Sequence, residues 1–249
     1  MLRLRRLAVG CALGSAGATL ALVLVASLNF SYREPALHVA LETTAAIACS
    51  AAALLLFGRF WRTGFLDELI LSAGLSLLAL WNFAFATLPA VFDLVSSRIS
   101  VWSMLFTAVL AAFLICVAAL LPRRRIAVGR QWPVVIYGST LVLALAGTLP
   151  MAAFPGLLPH GITASVASGD THPGLAGGLQ LALALLFILA ALGFTRRNRF
   201  TNDELSLWLA IACILSGASH INYFFHPAAL SNWIYTGDIS ASVSTLPYL

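Results

Sequence analysis

Apolar residues fill seven long stretches of the chain, and short polar segments, several of them rich in arginine, separate these stretches. Each stretch has about the 20 residues that an α-helix needs to cross roughly 30 Å of hydrocarbon. The pattern predicts an all-α, polytopic transmembrane helix bundle, organised as a single integral membrane domain over residues 1–249. The predicted spans are Leu7 to Phe30, His38 to Phe57, Glu68 to Leu88, Val101 to Leu121, Trp132 to Phe154, Leu175 to Phe194 and Glu204 to Phe224.

The arginines between these stretches predict the orientation of the chain. Three precede the first span and nine follow the second, fourth and sixth spans, so that twelve of the 14 basic residues share one side. Because cationic segments resist translocation, this asymmetry predicts a multi-pass protein of the inner (plasma) membrane with a cytoplasmic N-terminus. The last apolar run, Ile239 to Leu249, is too short to cross. Either the C-terminal end stays outside or the natural protein continues into an eighth helix.

Composition narrows the class of protein further. With 61% hydrophobic residues, 9% charged residues and a mean hydropathy of +0.96, the chain cannot build a water-soluble surface, which usually has about 25% charged residues. The net charge of +5 comes from arginines in loops and therefore indicates topology, with no nucleic-acid partner. We expect no enzyme activity, because no Walker A loop, HExxH motif, nucleophile elbow or pair of catalytic carboxylates occurs.

Two spans open and close with similar residues. Asp-Glu-Leu begins both the third span, at Asp67, and the seventh, at Asp203, and each span ends in an Asn and aromatic residues before a Pro. The two copies are offset by four helices, an even number, so both copies would have the same orientation, which indicates an internal repeat of a helical hairpin. The alternative is that Asp-Glu is simply a favourable helix start near a positive helix end.

Five polar residues are expected at the outer ends of the second, third and seventh spans: His38, Glu42, Asn82, His220 and Asn222. His38 and Glu42 are four residues apart and therefore share a helix face. Glu42 is the only carboxylate that lies well inside a span, where a buried charge costs several kcal/mol unless it is paired or protonated.

Two interpretations of these residues remain open. In the functional one, all five bind or sense a stimulus, and His38, Glu42 and His220 ligate a metal ion, contact a haem or exchange a proton. In the other, Glu42 hydrogen-bonds one of the histidines and only joins helices together.

Two patches resemble a known family. His38-Val-Ala-Leu-Glu42, followed by a span, by Arg59 and Arg62 and by Gly64-Phe-Leu, is similar to the membrane-associated sensor (MASE-type) domains of bacterial histidine kinases and diguanylate cyclases. The segment from Ser231 to Asp238 resembles the lead into the last helix of multi-spanning histidine kinase sensors. The chain differs where some of these domains have a His near the end of the third span, because it has Asn82 there.

The resemblance implies a sensory input domain of a two-component signal-transduction system. Its expected partners are the lipid bilayer, a second copy in a homodimer and a cytoplasmic output domain, and a kinase transmitter is not part of these residues. The alternatives are a small transporter or a redox membrane protein that holds haem or copper between His38 and His220. A transporter needs a continuous polar path, however, and the inner halves of the spans offer little beyond Gln180 and scattered hydroxyls. A scaffold subunit is a third alternative.

Overall fold

The computed structural model describes residues 35–88, 98–127, 129, 131–154, 156 and 174–225, together with positions 10, 13, 14 and 17. Within this part of the chain the secondary structure is helical, and no strand is present. The first predicted span, Leu7 to Phe30, lies almost wholly outside the described residues. The helices are α1 (Pro35–Thr63), α2 (Leu66–Asn82) with a π-helical continuation (Phe83–Thr87), α3 (Arg98–Leu120), α4 (Gln131–Ala153), α5 (Gly174–Thr201) and α6 (Glu204–Phe225).

Each of these six helices coincides with one predicted span, and five of them are long and apolar enough to cross a membrane. The five crossing stretches are Val39–Thr63, Ile99–Leu120, Gln131–Ala153, Gly177–Thr201 and Glu204–Phe224. Helix α2 has 17 residues, and its π-helical turn extends it by 5 more. The described chain is therefore that of a multi-pass helical membrane protein.

The described helices separate into two compact units. The first contains α1 from Glu42 onward together with α2, α3 and α4. In this unit α3 packs along α2, and the two backbones come close at Gly74, where an added Cβ would lie 3.2 Å from the Cβ of Leu114. At Gly147 of α4 an added Cβ would overlap the ring of Phe106. Glycine thus permits close helix contact, as expected for helices that pack in lipid.

Helix α4 forms the most exposed edge of the first unit. Its buried side chains are few, among them Thr140, Ala144 and Thr148, and most of its large apolar residues are exposed. Val134, for example, is 67% exposed. A surface of this kind is stable only in contact with hydrocarbon or with another apolar surface.

The second unit contains α5 and α6, which pack against each other along their length. Its core includes Leu183, Phe194 and Ile211, each almost fully buried. An added Cβ at Gly217 would lie 3.4 Å from Ile188 and 3.5 Å from the Ala184 carbonyl oxygen, so this glycine also lies at a close helix contact.

Candidate functional site

The predicted outer residues Glu42 and Asn82 both belong to the first unit, and both are half-buried. Next to Glu42, the hydroxyl of Thr43 lies 3.3 Å from the hydroxyl of Thr87 in the π-helical turn. This hydrogen bond joins the beginning of α1 to the end of α2. Glu42 and Asn82 therefore lie at the same end of the α1–α2 hairpin, as the sequence predicted.

The predicted residues His220 and Asn222 belong to α6 in the second unit. The Nδ1 atom of His220 lies 2.7 Å from Oε1 of Gln180 on α5. The imidazole ring stacks on Phe187 with 5.5 Å between the ring centroids and 6° between the planes. It also contacts the edge of Tyr223. His220 thus joins α5 to α6 through a hydrogen bond and ring packing.

The direction of this hydrogen bond fixes the tautomer of His220. A glutamine Oε1 atom only accepts hydrogen bonds, so Nδ1 must carry the proton that it donates to Gln180. The lone pair of the neutral ring is then on Nε2, the atom that would bind a metal ion or a proton. Gln180 is 6 residues into α5 and His220 is 5 residues from the end of α6. Gln180 therefore lies at the depth of His220, so that in the predicted orientation it belongs to the outer half of its span and not to the inner half.

The side chain of His38 lies outside the described residues, although its backbone is part of α1. Among the side chains that the structure describes, no group of three His, Cys, Asp or Glu residues could hold a metal ion. A metal or ligand site formed by His38, Glu42 and His220 therefore stays a prediction.

A buried ionic cluster, which the sequence did not predict, lies at the other end of the α1–α2 hairpin. Glu68 is only 3% exposed. Its Oε1 atom lies 2.7 Å from Nε of Arg59 and 3.5 Å from Nη2 of Arg123, and its Oε2 atom accepts a hydrogen bond of 2.5 Å from the hydroxyl of Thr63. Asp67, which is 2% exposed, lies 3.8 Å from Nε of Arg123. We call these five residues the ionic cluster.

The segment that follows α3 is attached to the α1–α2 turn by its backbone as well. Phe65 and Arg125 form an isolated antiparallel bridge. In this bridge the Leu66 amide donates to the Arg124 carbonyl at 3.2 Å, and the Ile126 amide donates to the Gly64 carbonyl at 2.9 Å. The structure therefore joins the α1–α2 turn to the α3–α4 segment by backbone hydrogen bonds.

Aromatic contacts reinforce the same junction. The guanidinium groups of Arg123 and Arg125 lie 4.6 Å and 5.0 Å from the centre of the Phe65 ring. Such cation–π contacts contribute roughly 0.5–2 kcal/mol, more where water is excluded. Through these contacts the ionic cluster can hold the end of α1, the beginning of α2 and the segment that follows α3 in one arrangement.

A row of hydroxyl groups forms a third polar feature, inside the first unit. Ser72 donates to the Ala53 carbonyl at 2.6 Å, and its Oγ atom lies 2.7 Å from the hydroxyl of Tyr137. The hydroxyl of Tyr137 also lies 3.4 Å from Oγ of Ser76. These bonds link α1, α2 and α4 at a depth where the surrounding side chains are apolar.

No family model, curated protein or solved structure matches the chain. The resemblance to membrane-associated sensor domains therefore stays a prediction from the two sequence patches.

Proposed function

We propose that the chain is a membrane-embedded sensory input domain of a bacterial signalling protein of the histidine kinase type. The observation that supports this proposal is the ionic cluster. Removing carboxylates from water costs several kcal/mol per ion, so that a bundle built only to span a membrane gains little from them. The ionic cluster, however, connects the α1–α2 turn to the segment after α3. A movement of the turn therefore displaces this segment as well.

The α1–α2 hairpin supplies the connection between stimulus and output in this proposal. One of its ends carries Glu42 and Asn82, and the other carries the ionic cluster. Binding or protonation at Glu42, with His38 and with His220 and Asn222 as the further predicted residues, shifts the hairpin. The ionic cluster then passes the shift to the α3–α4 segment, where an output domain reads it.

The finer topology is part of the same proposal. The chain has seven spans, its N-terminus lies in the cytoplasm of a bacterial cell, and it works as a homodimer attached to a cytoplasmic output domain. The arginine asymmetry supports the orientation. The repeat of a helical hairpin is supported by the similar turns that precede α2 and α6.

A chimera tests the sensory role. The full chain is joined to the transmitter of a histidine kinase, and autophosphorylation is measured in membranes across pH 5–8 and with divalent metal ions. We expect Glu42→Gln to change the response at least about threefold, whereas the matched control Glu204→Gln, which alters an exposed carboxylate, leaves it unchanged. Identical responses of the parent chain and Glu42→Gln under every condition would overturn the proposal.

A redox protein that binds haem or copper is the second candidate, and the tautomer of His220 favours it. Hydrogen bonding at Nδ1 is the usual way in which a protein orients a histidine that binds metal through Nε2. An absorption spectrum and a metal analysis of the purified protein test this candidate. A haem or copper band that disappears in His220→Ala but persists in the control Glu204→Gln would support it, whereas a colourless, metal-free protein would exclude it.

A further inference from the structure

An open groove of about 830 Å³ runs along the first unit between α1, α2 and the beginning of α4. Its walls are mainly apolar, with Leu54 and Phe57 from α1, Leu80 from α2, Phe83 from the π-helical continuation of α2, and Val134 from α4. The volume is in the range of about 300–1,000 Å³ that is typical of small-molecule sites. Because Leu54 and Val134 are also exposed, a ligand can enter directly from the bilayer.

Three hydroxyl groups are the polar side chains of this groove, and no charged side chain lines it among the described residues. They belong to Ser50, Ser76 and Tyr137. These described lining residues offer no cation to a phosphate or a carboxylate, and a charge without a partner is costly in a medium of low dielectric constant.

The directions of the hydrogen bonds show what the groove offers to a ligand. Ser72 uses its only hydrogen on the Ala53 carbonyl, so Tyr137 must donate to Ser72. The hydrogen of Tyr137 is then used as well, and Ser76 donates to Tyr137. Ser76 and Tyr137 therefore present only oxygen lone pairs to the groove.

Ser50 differs from the other two hydroxyls. It hydrogen-bonds to no residue in the part of the chain that the structure describes, so it offers both its hydrogen and its lone pairs. It lies near the middle of the 29-residue α1, about 20 Å from the Thr63 end at about 1.5 Å per residue. Hydrocarbon chains cannot satisfy a hydroxyl at that depth, and a phospholipid headgroup stays at the membrane surface.

We propose that this groove binds an uncharged, single-chain lipid whose small polar group is a hydroxyl, that is, a long-chain alcohol. The hydroxyl of the ligand accepts a hydrogen bond from Ser50 and donates one to the lone pairs of Ser76 or Tyr137, while its chain lies along Leu54 and Leu80. The proposal concerns binding alone and goes beyond the sensory role, so that either can fail without the other.

Photolabelling of the full chain in lipid nanodiscs tests the proposal. The probes are a long-chain alcohol with a diazirine in its chain, the alkane of equal length with the same diazirine, and the corresponding carboxylic acid at pH 8. We expect the alcohol to label peptides of α1 and α2 at concentrations where the alkane and the acid do not. Competition with an unmodified long-chain alcohol should remove this labelling.

Substitutions then locate the site. Leu54→Trp fills the groove and should reduce labelling by the alcohol at least about tenfold, whereas Leu55→Trp, which alters the adjacent exposed residue outside the lining, should leave it unchanged. Ser50→Ala should reduce labelling about three- to tenfold, as expected for the loss of one hydrogen bond, without changing labelling by the alkane at high concentration.

Three outcomes would overturn the proposal. Equal labelling by the alcohol and the alkane, with no effect of Ser50→Ala, would mean that ordinary bilayer chains fill the groove. Stronger labelling by the acid would mean that the site prefers an anion. No labelling by the alcohol, together with disulfide crosslinking of two copies of the variant Leu54→Cys on oxidation, would mean that the groove is a dimer interface.

Discussion

The turn between α1 and α2 and the turn between α5 and α6 share their local structure but differ in their surroundings. Each has two residues, and each follows a Thr, Thr63 or Thr201, whose hydroxyl oxygen lies 3.0 Å from the carbonyl oxygen of the residue four positions earlier. The first turn residue has a positive φ in both cases, 72° at Gly64 and 52° at Asn202. The two turns are therefore the same type of helix C-terminal cap.

The Asp-Glu pairs at the starts of α2 and α6 differ sharply in their burial. Asp67 and Glu68, in the first turn of α2, are buried in the ionic cluster. Glu204, the first residue of α6, is exposed, and Asp203 before it accepts a hydrogen bond of 3.0 Å from the hydroxyl of Ser206. The difference teaches that Asp-Glu-Leu alone specifies only a helix start, and that the segment after α3 determines whether the acids are buried.

The largest expected effect is at Glu68. Glu68→Gln leaves Arg59 and Arg123 without the carboxylate that they share, and we expect the free energy of unfolding to fall by about 2–3 kcal/mol, less than for a fully enclosed pair because both arginines are partly exposed. Thermal unfolding in detergent, followed by tryptophan fluorescence, measures the change. Glu204→Gln is the matched control, with an expected loss below about 0.5 kcal/mol. Equal losses of unfolding free energy for Glu68→Gln and Glu204→Gln would contradict the view that only the first carboxylate stabilises its turn.

Arg123 should show the next largest effect. Arg123→Ala removes its ion pairs with Glu68 and Asp67 together with its contact to the Phe65 ring, and we expect a loss of about 1–2 kcal/mol in the same unfolding assay. The control is Arg199→Ala, which alters an exposed arginine near the second turn. If Arg123→Ala were as stable as the parent protein, the junction between the α1–α2 turn and the segment after α3 would depend on its backbone hydrogen bonds alone.

Substitutions at the two helix caps should change the stability of the protein in opposite directions. Gly64→Ala places a Cβ at a φ of 72°, which should destabilise the protein by about 1 kcal/mol, whereas Asn202→Gly relieves the same strain and should stabilise it by a few tenths of a kcal/mol. Chemical denaturation midpoints of the two variants measure these changes. Shifts of the same sign would contradict the view that the caps are equivalent.

Apart from the control variants, Asp203→Ala should cause the smallest loss of stability. Asp203→Ala removes the acceptor of the Ser206 hydroxyl and a negative charge near the positive end of α6, for an expected loss of about 0.5–1 kcal/mol. Denaturation of Asp203→Ala and of Asp203→Asn, which keeps an acceptor, measures it. A loss as large as that of Glu68→Gln would show that the second turn also depends on contacts outside its own helices.

Much of the fold could be predicted from the sequence, because length and hydropathy dictate where a helix crosses a bilayer. The predicted span at Glu204 to Phe224 differs from α6 by one residue. The sequence also predicts close helix contacts at the small residues Gly74, Gly147, Gly177, Gly178 and Gly217. This is confirmed at Gly74, Gly147 and Gly217, whereas an added Cβ at Gly178 would meet no atom within 4 Å. Seven spans and the internal repeat stay predictions.

The ionic cluster could not be predicted in the same way. Arg123 and Glu68 are 55 residues apart, and in a single sequence an arginine in a loop indicates only topology. Trp81 and Trp102 lie near the ends of predicted spans, where tryptophan is typical of the membrane surface. In the structure they are only 7% and 4% exposed, because both side chains pack between helices. The pairing of Gln180 with His220, by contrast, could have been found by counting residues from the ends of two antiparallel helices.

The antiparallel bridge between Phe65 and Arg125 has a consequence for protease digestion. Arg124 and Arg125 are exposed and are chemically good trypsin sites, but a protease must draw several residues of substrate into an extended form in its cleft. To do so here it must first break both backbone hydrogen bonds to the neighbouring turn. The rate of cleavage after these two arginines therefore depends on how often the junction opens. A brief tryptic digestion can measure this opening.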